Sequence, residues 1–311
     1  MADQGLVKET ACAVVDKLKA GDVTPLDLLD VLERRIAEVD GKVNALPTLC
    51  FDRARSHARA LMQKPASERG LLAGLPVPIK DLTAVSGVLT TLGSPIFKDN
   101  VPAKSDILVE RLEQNGGVIY AKSNTPEFGA GANTFNEVFG PTRNPWNLQH
   151  SSGGSSGGAA SAVAAGLGAI AHGTDIAGSI RYPAYACGVH GLRPSLGRIP
   201  AFNAALPERP IGPQISAVSG PLARTVNDLR VSLAAMSAPD YRDPWYAPVP
   251  LEGPRREKRV AMCPNPDGLD PVPEVVAAVA DAGKRLQAAG WIVEEVANTP
   301  SLREAAEIRD R

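Results

Sequence analysis

Two glycine- and serine-rich patches mark residues 151–181 of this 311-residue chain as the stretch where chemistry could occur. The first patch contains Ser155 and the second contains Ser179. Serine supplies a hydroxyl that can donate, accept or act as a nucleophile, while glycine permits close approach of a backbone or a substrate. The same composition is typical of a flexible linker. The distinction between a linker and a catalytic centre therefore depends on residues elsewhere in the chain.

A serine nucleophile needs a base, and Lys80 is the candidate that the sequence offers. It ends the apolar run 74–80, whose letters GLPVPIK predict an extended, buried segment. A free lysine amine has a pKa near 10.4, so a value of about 7 to 8 requires roughly 3 pKa units, or about 4 kcal/mol, of desolvation and positive neighbours. A buried position at the end of such a run could provide this. The pattern favours serine chemistry with a lysine base.

Other catalytic patterns fit the sequence less well. Residues 153–157 match the G-x-S-x-G elbow of α/β-hydrolases, but no buried strand precedes them, and that fold's histidine should come later than the last one here. The segment 166–171 fits a degenerate dinucleotide fingerprint, yet it follows a helix instead of opening one. No cluster has the spacing of a metal site, so we predict neither a metal nor another cofactor. We interpret all four histidines as surface or turn residues: His57, His150, His172 and His190.

Composition limits the partners and the compartment. The chain has 33 basic and 34 acidic residues and a formal net charge of -1, so no overall field draws it to nucleic acid or to an anionic membrane. We therefore expect a small-molecule partner. The four scattered cysteines have no CxxC spacing and are interpreted as reduced thiols, and no apolar run is long enough to span a bilayer. Together these features predict a cytoplasmic protein.

The elements that would position the candidate residues alternate between strand and helix, which indicates an α/β fold. Extended apolar runs lead into Lys80 and into the second glycine and serine patch. Helical periodicity and small-residue segments lie between them. The expected division has four parts: helices that wrap the core over residues 1–65, a catalytic core over 66–236, a Pro-rich connection over 237–257, and a βαβ-like segment over 258–311.

Several local patterns make more specific predictions. The pair Thr24-Pro25 predicts a helix start, with an N-cap followed by proline at the first helical position. The Asn-, Gly- and Pro-rich segment 122–150 predicts an ordered loop lying over a site. Residues 157–166 predict a small-residue helix, and residues 220–236 predict one amphipathic helix. A final helix is expected over 301–311.

Three separated motifs give the sequence a specific resemblance. They are GLPVPIKD with Lys80, GGSSGG with Ser155 and GTDIAGSIR with Ser179, at spacings of 155 − 80 = 75 and 179 − 155 = 24 residues. In type, order and spacing they resemble the amidase signature family, and KSNTPEFG and GPLARTVNDL extend the resemblance. It implies a central mixed β-sheet covered on both sides by α-helices. The chain resembles the N-terminal two-thirds of the usual family length, so this fold would lack its C-terminal part.

The resemblance also implies a role for each motif residue. Ser179 would attack the substrate carbonyl and form an acyl-enzyme, while Ser155, which in the family typically follows a cis peptide bond, would relay the proton to Lys80. An oxyanion hole of backbone N–H groups would stabilise the charge that develops in the transition state. Its donors would be Ile176, Ala177, Gly178 and Ser179, and the supporting residues would be Ser156, Thr174, Asp175 and Arg181.

Two features depart from the family pattern. The family commonly has a glycine pair before the nucleophile, and here the first position is Ala177. Its methyl group would be harmless at a negative φ and strained at a positive one. Family members also continue further along the chain. We therefore expect a truncation, a fold completed by a second chain or a homodimer, or a remnant of an enzyme.

The predicted function is hydrolysis of a carboxamide C–N bond to a carboxylic acid and ammonia or an amine. Within the same fold, the alternative is the amidase subunit of a glutamine-dependent tRNA amidotransferase. The stretch SNTPEFG is more similar to stand-alone amidases than to that subunit. An alternative from another class is an inactive truncated remnant or scaffold, which the early C-terminus motivates.

Overall fold

The computed structural model describes residues 4–201, 215–254 and 256–301. The chain divides into two compact units, Met1–Val249 and Pro250–Arg311. The boundary between them falls inside the segment 237–257, for which the sequence predicts a Pro-rich connection. Of the helix predicted over 301–311, all but residue 301 lies outside the described residues.

The N-terminal part of the larger unit is helical, as the sequence predicts. Its helices are α1 (Ala11–Ala20), α2 (Pro25–Val43) and α3 (Phe51–Met62). Helix α2 begins after Thr24, whose side-chain oxygen accepts a hydrogen bond from the backbone N–H of Asp27 at 3.1 Å. The Asp27 carboxylate accepts in return from the backbone N–H of Thr24 at 2.9 Å. This reciprocal cap satisfies two N–H groups that have no partner inside the helix and fixes where α2 starts.

The rest of the larger unit alternates between strand and helix. Its strands are β1 (Thr48–Leu49), β2 (Pro76–Lys80), β3 (Val118–Ser123), β4 (Arg143–Asn144), β5 (Asn147–Ser151), β6 (Ile170–Asp175), β7 (His190–Gly191) and β8 (Val218–Ala223). Its further helices are α4 (Ile107–Gln114), α5 (Gly157–Ala164), α6 (Arg181–Cys187) and α7 (Val226–Met236). This alternation confirms the α/β fold class.

Two three-stranded sheets form the centre of the larger unit. Strand β3 lies between β1 and β2, antiparallel to the first and parallel to the second, and β8 lies between β6 and β7, antiparallel to both. Strand β2 lies beside β6, and helices such as α3 and α7 pack against the two sheets. At this boundary the backbone N–H of Lys80 donates to Nδ1 of His172 at 3.3 Å. The central mixed sheet is therefore present as two halves that lie side by side.

Two local expectations differ from the structure. Residues 220–236 do not form one helix, because their first part belongs to β8, and α7 begins only at Val226, where Thr225 accepts a hydrogen bond from the N–H of Asp228. Strand β8 is buried along its whole length, and periodicity alone does not separate a short buried strand from a helix. The expected loop over 122–150 begins in the last residues of β3 and ends in the hairpin β4–β5, in which β5 is exposed.

Helix α5 lies unusually close to its neighbours because its first residues are glycines. A Cβ added at Gly158 would lie 2.3 Å from the backbone nitrogen of Asn124 and 2.7 Å from the carbonyl oxygen of Ala45. A Cβ added at Gly157 would lie 2.3 Å from Oγ1 of Thr134. These distances are shorter than van der Waals contact. The glycines therefore fix the position of the first turn of α5 and of the serines that precede it.

We expect Gly158→Ala to destabilise the protein by about 3 kcal/mol, because the added methyl group meets backbone atoms that cannot rotate away. Gly41→Ala in α2 is the matched control, since a Cβ there has no atom within 4 Å. Alanine is the better helix former, so this control should stabilise the protein by about 0.5–1 kcal/mol. Urea unfolding followed by circular dichroism measures both changes. Effects of the same sign would contradict the close packing of α5.

The smaller unit contains the βαβ arrangement that the sequence predicts. It consists of β9 (Arg259–Met262), α8 (Pro273–Ala288) and β10 (Ile292–Glu295). The two strands pair in parallel, from Arg259 with Ile292 to Met262 with Glu295. A parallel pair needs a long crossover connection, and α8 provides it.

The described part of the chain holds four cysteine thiols and neither a metal-ligand cluster nor a membrane-spanning helix. All four cysteines, which lie among the described residues, are free thiols. Burial raises the pKa of Cys12 and Cys50 to about 11 and that of Cys187 to about 12, so these three thiols are protonated near pH 7. Within the described ranges, no group of three or more His, Cys, Asp or Glu could hold a metal ion. In the same ranges, no helix is long and apolar enough to cross a bilayer.

Candidate active site

Lys80 lies at the centre of the candidate site. It is the last residue of β2, all of whose residues are buried, and its own side chain has 0% exposure. Its Nζ is within hydrogen-bond distance of three hydroxyl oxygens, at 2.6 Å from Ser155, 2.9 Å from Ser156 and 3.0 Å from Thr174. The fold thus brings together four of the residues that the sequence singles out, from three separate parts of the chain.

The electrostatic environment of Lys80 makes its amine a base near neutral pH. Burial lowers the pKa of Lys80 from 10.5 to about 7, while the negative charge of Asp175 acts in the opposite direction. The partners of Nζ are hydroxyls rather than a carboxylate, so no close ion pair holds the proton on the amine. At pH 7 a large fraction of the amine is therefore unprotonated and able to accept a proton.

Ser155 lies in a tightly enclosed turn before α5. The Gly154–Ser155 peptide bond is cis, and the Ser155 side chain is almost fully buried. A Cβ at Gly154 would lie 2.8 Å from the backbone carbon of Ala132 and from the carbonyl oxygen of Gly131, so the turn needs glycine there. A Cβ at Gly129 would lie 3.6 Å from Oγ of Ser155. The segment 122–150 thus approaches Ser155 directly.

Ser156 connects the start of α5 to the end of β6. Its hydroxyl donates to the carbonyl oxygen of Thr174 at 3.2 Å and accepts from the backbone N–H of Thr174 at 3.3 Å. The Ser156 proton is therefore directed away from Lys80, and Ser156 faces Nζ as an acceptor. Of the two serines that contact Lys80, only Ser155 can direct its hydroxyl proton to the amine without losing this bond.

Asp175 shapes the loop that follows β6. Its carboxylate accepts hydrogen bonds from the backbone N–H groups of Gly178 at 2.8 Å and Ile180 at 3.0 Å, and from the Arg181 guanidinium at 3.1 Å. Burial alone would raise the pKa of Asp175, but the hydrogen bonds from Arg181 and from the backbone outweigh it and lower the pKa to about 2. Arg193 Nε lies 3.6 Å from the same carboxylate. Asp175 is therefore a permanent anion that holds this loop in place.

The same loop contains Ser179 and the predicted oxyanion donors. The N–H of Gly178 donates to Asp175, so it would have to leave this hydrogen bond before it could bind an oxyanion. The N–H groups of Ile176, Ala177 and Ser179 have no hydrogen-bond partner among the described residues. Ile176 and Ala177 are exposed. Three of the four predicted donors are therefore free to bind a ligand.

The substitution at position 177 is compatible with the loop. The non-glycine residues with a positive φ do not include Ala177, whereas Gly178 has a φ of 109°. A Cβ at Gly178 would have no atom within 4 Å, so the backbone conformation and not the available space requires glycine there. Ala177 therefore takes the conformation in which its methyl group is harmless, and glycine is needed only at the second position of the pair.

A backbone hydrogen bond joins Ser179 to the glycine- and serine-rich patch that contains Ser155 and Ser156. Its carbonyl oxygen accepts a hydrogen bond from the N–H of Ser156 at 3.0 Å. The side chain is half-buried, and its hydroxyl makes no hydrogen bond to Ser155 or Lys80 among the described residues. Side-chain contacts that serve catalysis are often long before substrate binds. The structure thus joins the two serine motifs without a direct bond between their side-chain oxygens.

Sequence reasoning missed a buried ion pair formed by Asp81, the residue that follows Lys80. Lys122 Nζ lies 2.8 Å from Oδ1 of Asp81 and 2.8 Å from Oγ1 of Thr90, and both charged side chains are almost fully buried. Burial lowers the pKa of Lys122, while Asp81 opposes this change. The other oxygen of Asp81 accepts from the side chain and the backbone of Thr91. A lysine inside the apolar strand run VIYAKS was the available signal for this pair.

Replacing Lys122 with methionine is expected to destabilise the protein by about 3–5 kcal/mol, because it leaves the Asp81 carboxylate buried without a positive partner. The double variant Asp81→Asn, Lys122→Met removes both charges. It should therefore recover a substantial part of the lost stability. Chemical unfolding of Lys122→Met, Asp81→Asn, the double variant and the wild type measures this coupling. A double variant that is as unstable as the sum of the single changes would contradict a direct pair.

The sequence interpretation of His172 as a surface or turn residue is wrong. The side chain has 0% exposure in β6, whereas His150 and His190 are exposed. Burial, together with the positive charges of Lys80 and Lys122, lowers the pKa of His172 to about 3. The signal that could have found it is the apolar run that leads into the second glycine and serine patch, because a histidine inside such a run lies in a buried strand.

A buried lysine amine with a pKa near 7, in contact with a serine hydroxyl, is the arrangement found in serine hydrolases whose base is lysine. A family model described as Amidase matches residues 27–309. The chain belongs to the amidase signature family.

Relatives and solved structures of this family match most of the chain. An indoleacetamide hydrolase of Bradyrhizobium diazoefficiens is 39% identical over 293 residues, which cover 93% of this chain and 55% of that protein. A glutamyl-tRNA(Gln) amidotransferase subunit of Halothermothrix orenii is 37% identical over 293 residues, covering 90% and 58%. The structure of a bacterial aryl acylamidase of the same family aligns with a TM-score of 0.82 at 32% identity, covering 93% and 61%. The chain thus spans between 55% and 61% of the length of these proteins.

Proposed function

We propose that this chain carries the catalytic part of an amidase that hydrolyses a carboxamide to a carboxylic acid and ammonia or an amine. The observation that carries the proposal is the 2.6 Å contact between Lys80 Nζ and Ser155 Oγ in a buried site. The lowered pKa of Lys80, about 7, supports the role of general base. The family membership supports the reaction class.

The hydrogen-bond pattern around Lys80 supports a defined proton path. A neutral amine has two N–H donors and one lone pair. If the donors bind Ser156 and Thr174, both of which lie within 3.0 Å, the lone pair faces Ser155. Ser155 then gives its proton to Lys80 and takes one from the hydroxyl of Ser179. Ser179 is the proposed nucleophile and Ser155 the proposed relay.

The chemical steps follow from these roles. The Oγ of Ser179 forms a bond to the amide carbon, and its proton moves through Ser155 to Lys80. The resulting oxyanion binds the free N–H groups of Ile176, Ala177 and Ser179. The C–N bond then breaks as the proton on Lys80 passes through Ser155 to the leaving nitrogen, which yields an acyl-enzyme. Water hydrolyses the ester and regenerates Ser179, so the reaction needs no cofactor.

The substrate that we propose is a small amide with an aromatic group. This choice is supported by the names of relatives, an indoleacetamide hydrolase and an aryl acylamidase. Indole-3-acetamide and acetanilide are therefore the first amides to assay. Ammonia or aniline release above background for either one is the expected result.

A net charge of -1 supports a small-molecule partner rather than nucleic acid or a membrane surface. The four free thiols support a cytoplasmic location.

Active-site labelling tests the proposal most directly. A fluorophosphonate should add one covalent group to the wild-type chain, and peptide mass analysis should place it on Ser179. Ser179→Ala should remove the label, while Ser56→Ala, a change at an exposed serine of α3, should keep it. An unlabelled wild-type protein would favour the alternative of an inactive remnant or scaffold. Equal labelling of the Ser179→Ala variant would disprove the assignment of the nucleophile.

The tRNA amidotransferase component is the second candidate function, because a relative of that name is 37% identical to this chain. Glutamine hydrolysis should then depend on an added partner chain. A stand-alone amidase should hydrolyse small amides without one. Analytical ultracentrifugation of the same sample separates a monomer from a homodimer or a complex with a second chain.

Turnover is expected to rise with pH through about pH 7 and to level off above it. The unprotonated amine of Lys80 is the active form of the base, and its pKa is about 7. Below that value the fraction of unprotonated amine falls tenfold for each pH unit, so log kcat/KM should have a slope of about one on the acid side. Initial rates between pH 5 and 9 measure this. A profile that is flat from pH 5 to 9 would contradict lysine as the base.

A further inference from the structure

We propose that His172 is a positioning residue for Lys80, an inference that rests on the function proposed above. His172 lies on β6, and its Nδ1 accepts a hydrogen bond from the backbone N–H of Lys80 on β2 at 3.3 Å. Its other ring nitrogen, Nε2, lies 3.3 Å from Oγ of Ser219 on β8. One fully buried side chain therefore links three strands at the residue that carries the base.

The hydrogen bonds define the state of the imidazole ring. Because Nδ1 accepts from Lys80, it carries no proton, so the neutral ring has its proton on Nε2 and donates it to Ser219. The low pKa of His172, about 3, agrees with a ring that stays neutral at every pH at which the protein would work. A neutral ring supplies an acceptor beside Lys80 without adding a charge to its surroundings.

The backbone N–H of Lys80 needs this acceptor because of how the two sheets meet. Strand β2 forms a backbone ladder with β3 on one side, whereas β2 and β6 are assigned to different sheets in the described part of the chain. The Lys80 N–H is directed to the β6 side, where the ring nitrogen takes the place of a strand carbonyl. A buried N–H without an acceptor is unfavourable, so the end of β2 would shift to find one.

Such a shift would act on the chemistry through Lys80. Its Nζ contacts Ser155 at 2.6 Å, and a displacement of a few tenths of an ångström along β2 would lengthen this bond. Positioning errors of this kind reduce rates steeply, even where no reacting group is removed. The His172 ring makes no hydrogen bond to the proposed nucleophile among the described residues, so we propose that it acts through Lys80.

Replacing His172 with asparagine or with leucine shows whether its side chain positions Lys80 or only fills space in the core. The amide oxygen of asparagine can take the place of Nδ1 as an acceptor, whereas leucine fills space and accepts nothing. In His172→Leu, we expect the amide hydrogen of Lys80 to exchange about tenfold faster relative to that of Ile79. His172→Asn should restore its protection. His190→Leu, a change at an exposed histidine on β7, should leave both amides unchanged.

The same variants should separate in their rate of reaction with a fluorophosphonate at Ser179. We expect His172→Leu to react about 10- to 100-fold more slowly than wild type and His172→Asn to recover most of the loss. If the wild-type protein does not react, the proposed function fails. The exchange of the Lys80 amide hydrogen then tests by itself whether His172 positions Lys80. Unchanged exchange of the Lys80 amide in His172→Leu would overturn the proposal, as would an asparagine variant no better than leucine in both measurements.

A measurement on the wild-type protein tests the proposal even if His172→Leu does not fold. Long-range ¹H–¹⁵N spectra of histidine distinguish the two neutral tautomers and the charged ring. One buried histidine should keep the Nε2–H tautomer from pH 5 to 9, and its signal should disappear in His172→Asn. A charged ring or an Nδ1–H tautomer would overturn the proposal, because neither can accept the Lys80 hydrogen bond.

Discussion

Replacing Lys80 with methionine is expected to abolish amide turnover and, below pH 7, to make the protein more stable. The amine is the proposed base, so its loss should reduce kcat by about 10³-fold or more. Its pKa is about 7 in the folded state against 10.5 for a free lysine, a difference of 10.5 − 7 = 3.5 units, which corresponds to about 5 kcal/mol of unfavourable burial. Methionine avoids this cost, although the hydroxyls of Ser155 and Thr174 then lose a partner and offset part of the gain.

The pH dependence of stability identifies the cause. Because its pKa is lowered on folding, Lys80 binds fewer protons in the folded than in the unfolded state between pH 7 and 10.5. The contribution of Lys80 to stability therefore improves as the pH rises through this window and is constant below it. The stability advantage of Lys80→Met should be greatest below pH 7 and should shrink by about 5 kcal/mol toward pH 10.5.

Urea unfolding at pH 6, 8 and 10 measures this difference. Lys122 and other groups titrate in both proteins, so their contributions cancel in the comparison. Lys19→Met, a change at an exposed lysine of α1, is the matched control and should give a difference that does not depend on pH. A stability difference for Lys80→Met that is equally flat would mean that the amine is not strongly desolvated.

Ser155→Ala is expected to reduce kcat by about 10²- to 10⁴-fold, because the proposed proton path from Ser179 to Lys80 loses its middle member. Ser156→Ala is the matched control, at the next residue and with the same change of side chain. The Ser156 proton is directed to the Thr174 carbonyl, so its loss should reduce kcat by about tenfold at most. Steady-state rates at pH 8 provide the comparison. Equal losses in the two variants would contradict a relay through Ser155.

Much of the fold and of the candidate site can be predicted from the sequence, because short patterns carry the information. The Thr24-Pro25 pair gives the start of α2, and the run into Lys80 gives the buried end of β2. The order and spacing of the motifs predict that Lys80 lies near the serines, and the structure gives the distances from Lys80 Nζ to their hydroxyl oxygens. Local patterns fail where partners decide the conformation, as in 220–236, where pairing with β6 extends a segment whose pattern predicts a helix.

Two buried polar contacts could not be predicted as pairs from the sequence, although each includes a residue whose place in an apolar run indicates burial. The Asp81–Lys122 pair joins residues 41 positions apart, and the His172 contact with Lys80 joins residues 92 apart. Neither has a spacing rule, because both depend on which strands become neighbours. The Gly178 N–H is similar, since only the structure reveals that the Asp175 carboxylate has already bound it.

The separation of the residues around Lys80 also makes the site a reporter of folding. Lys80 and Ser155 are 75 residues apart, and Lys80 and Thr174 are 94 apart, so their contacts form only after long loops have closed. Such contacts are late and slow in comparison with helix formation. A reactive serine that depends on all of them would gain its reactivity at the end of folding. After dilution from urea, the rate at which fluorophosphonate labelling appears should therefore report the rate at which the two half-sheets pack together. Circular dichroism should show the helices forming earlier.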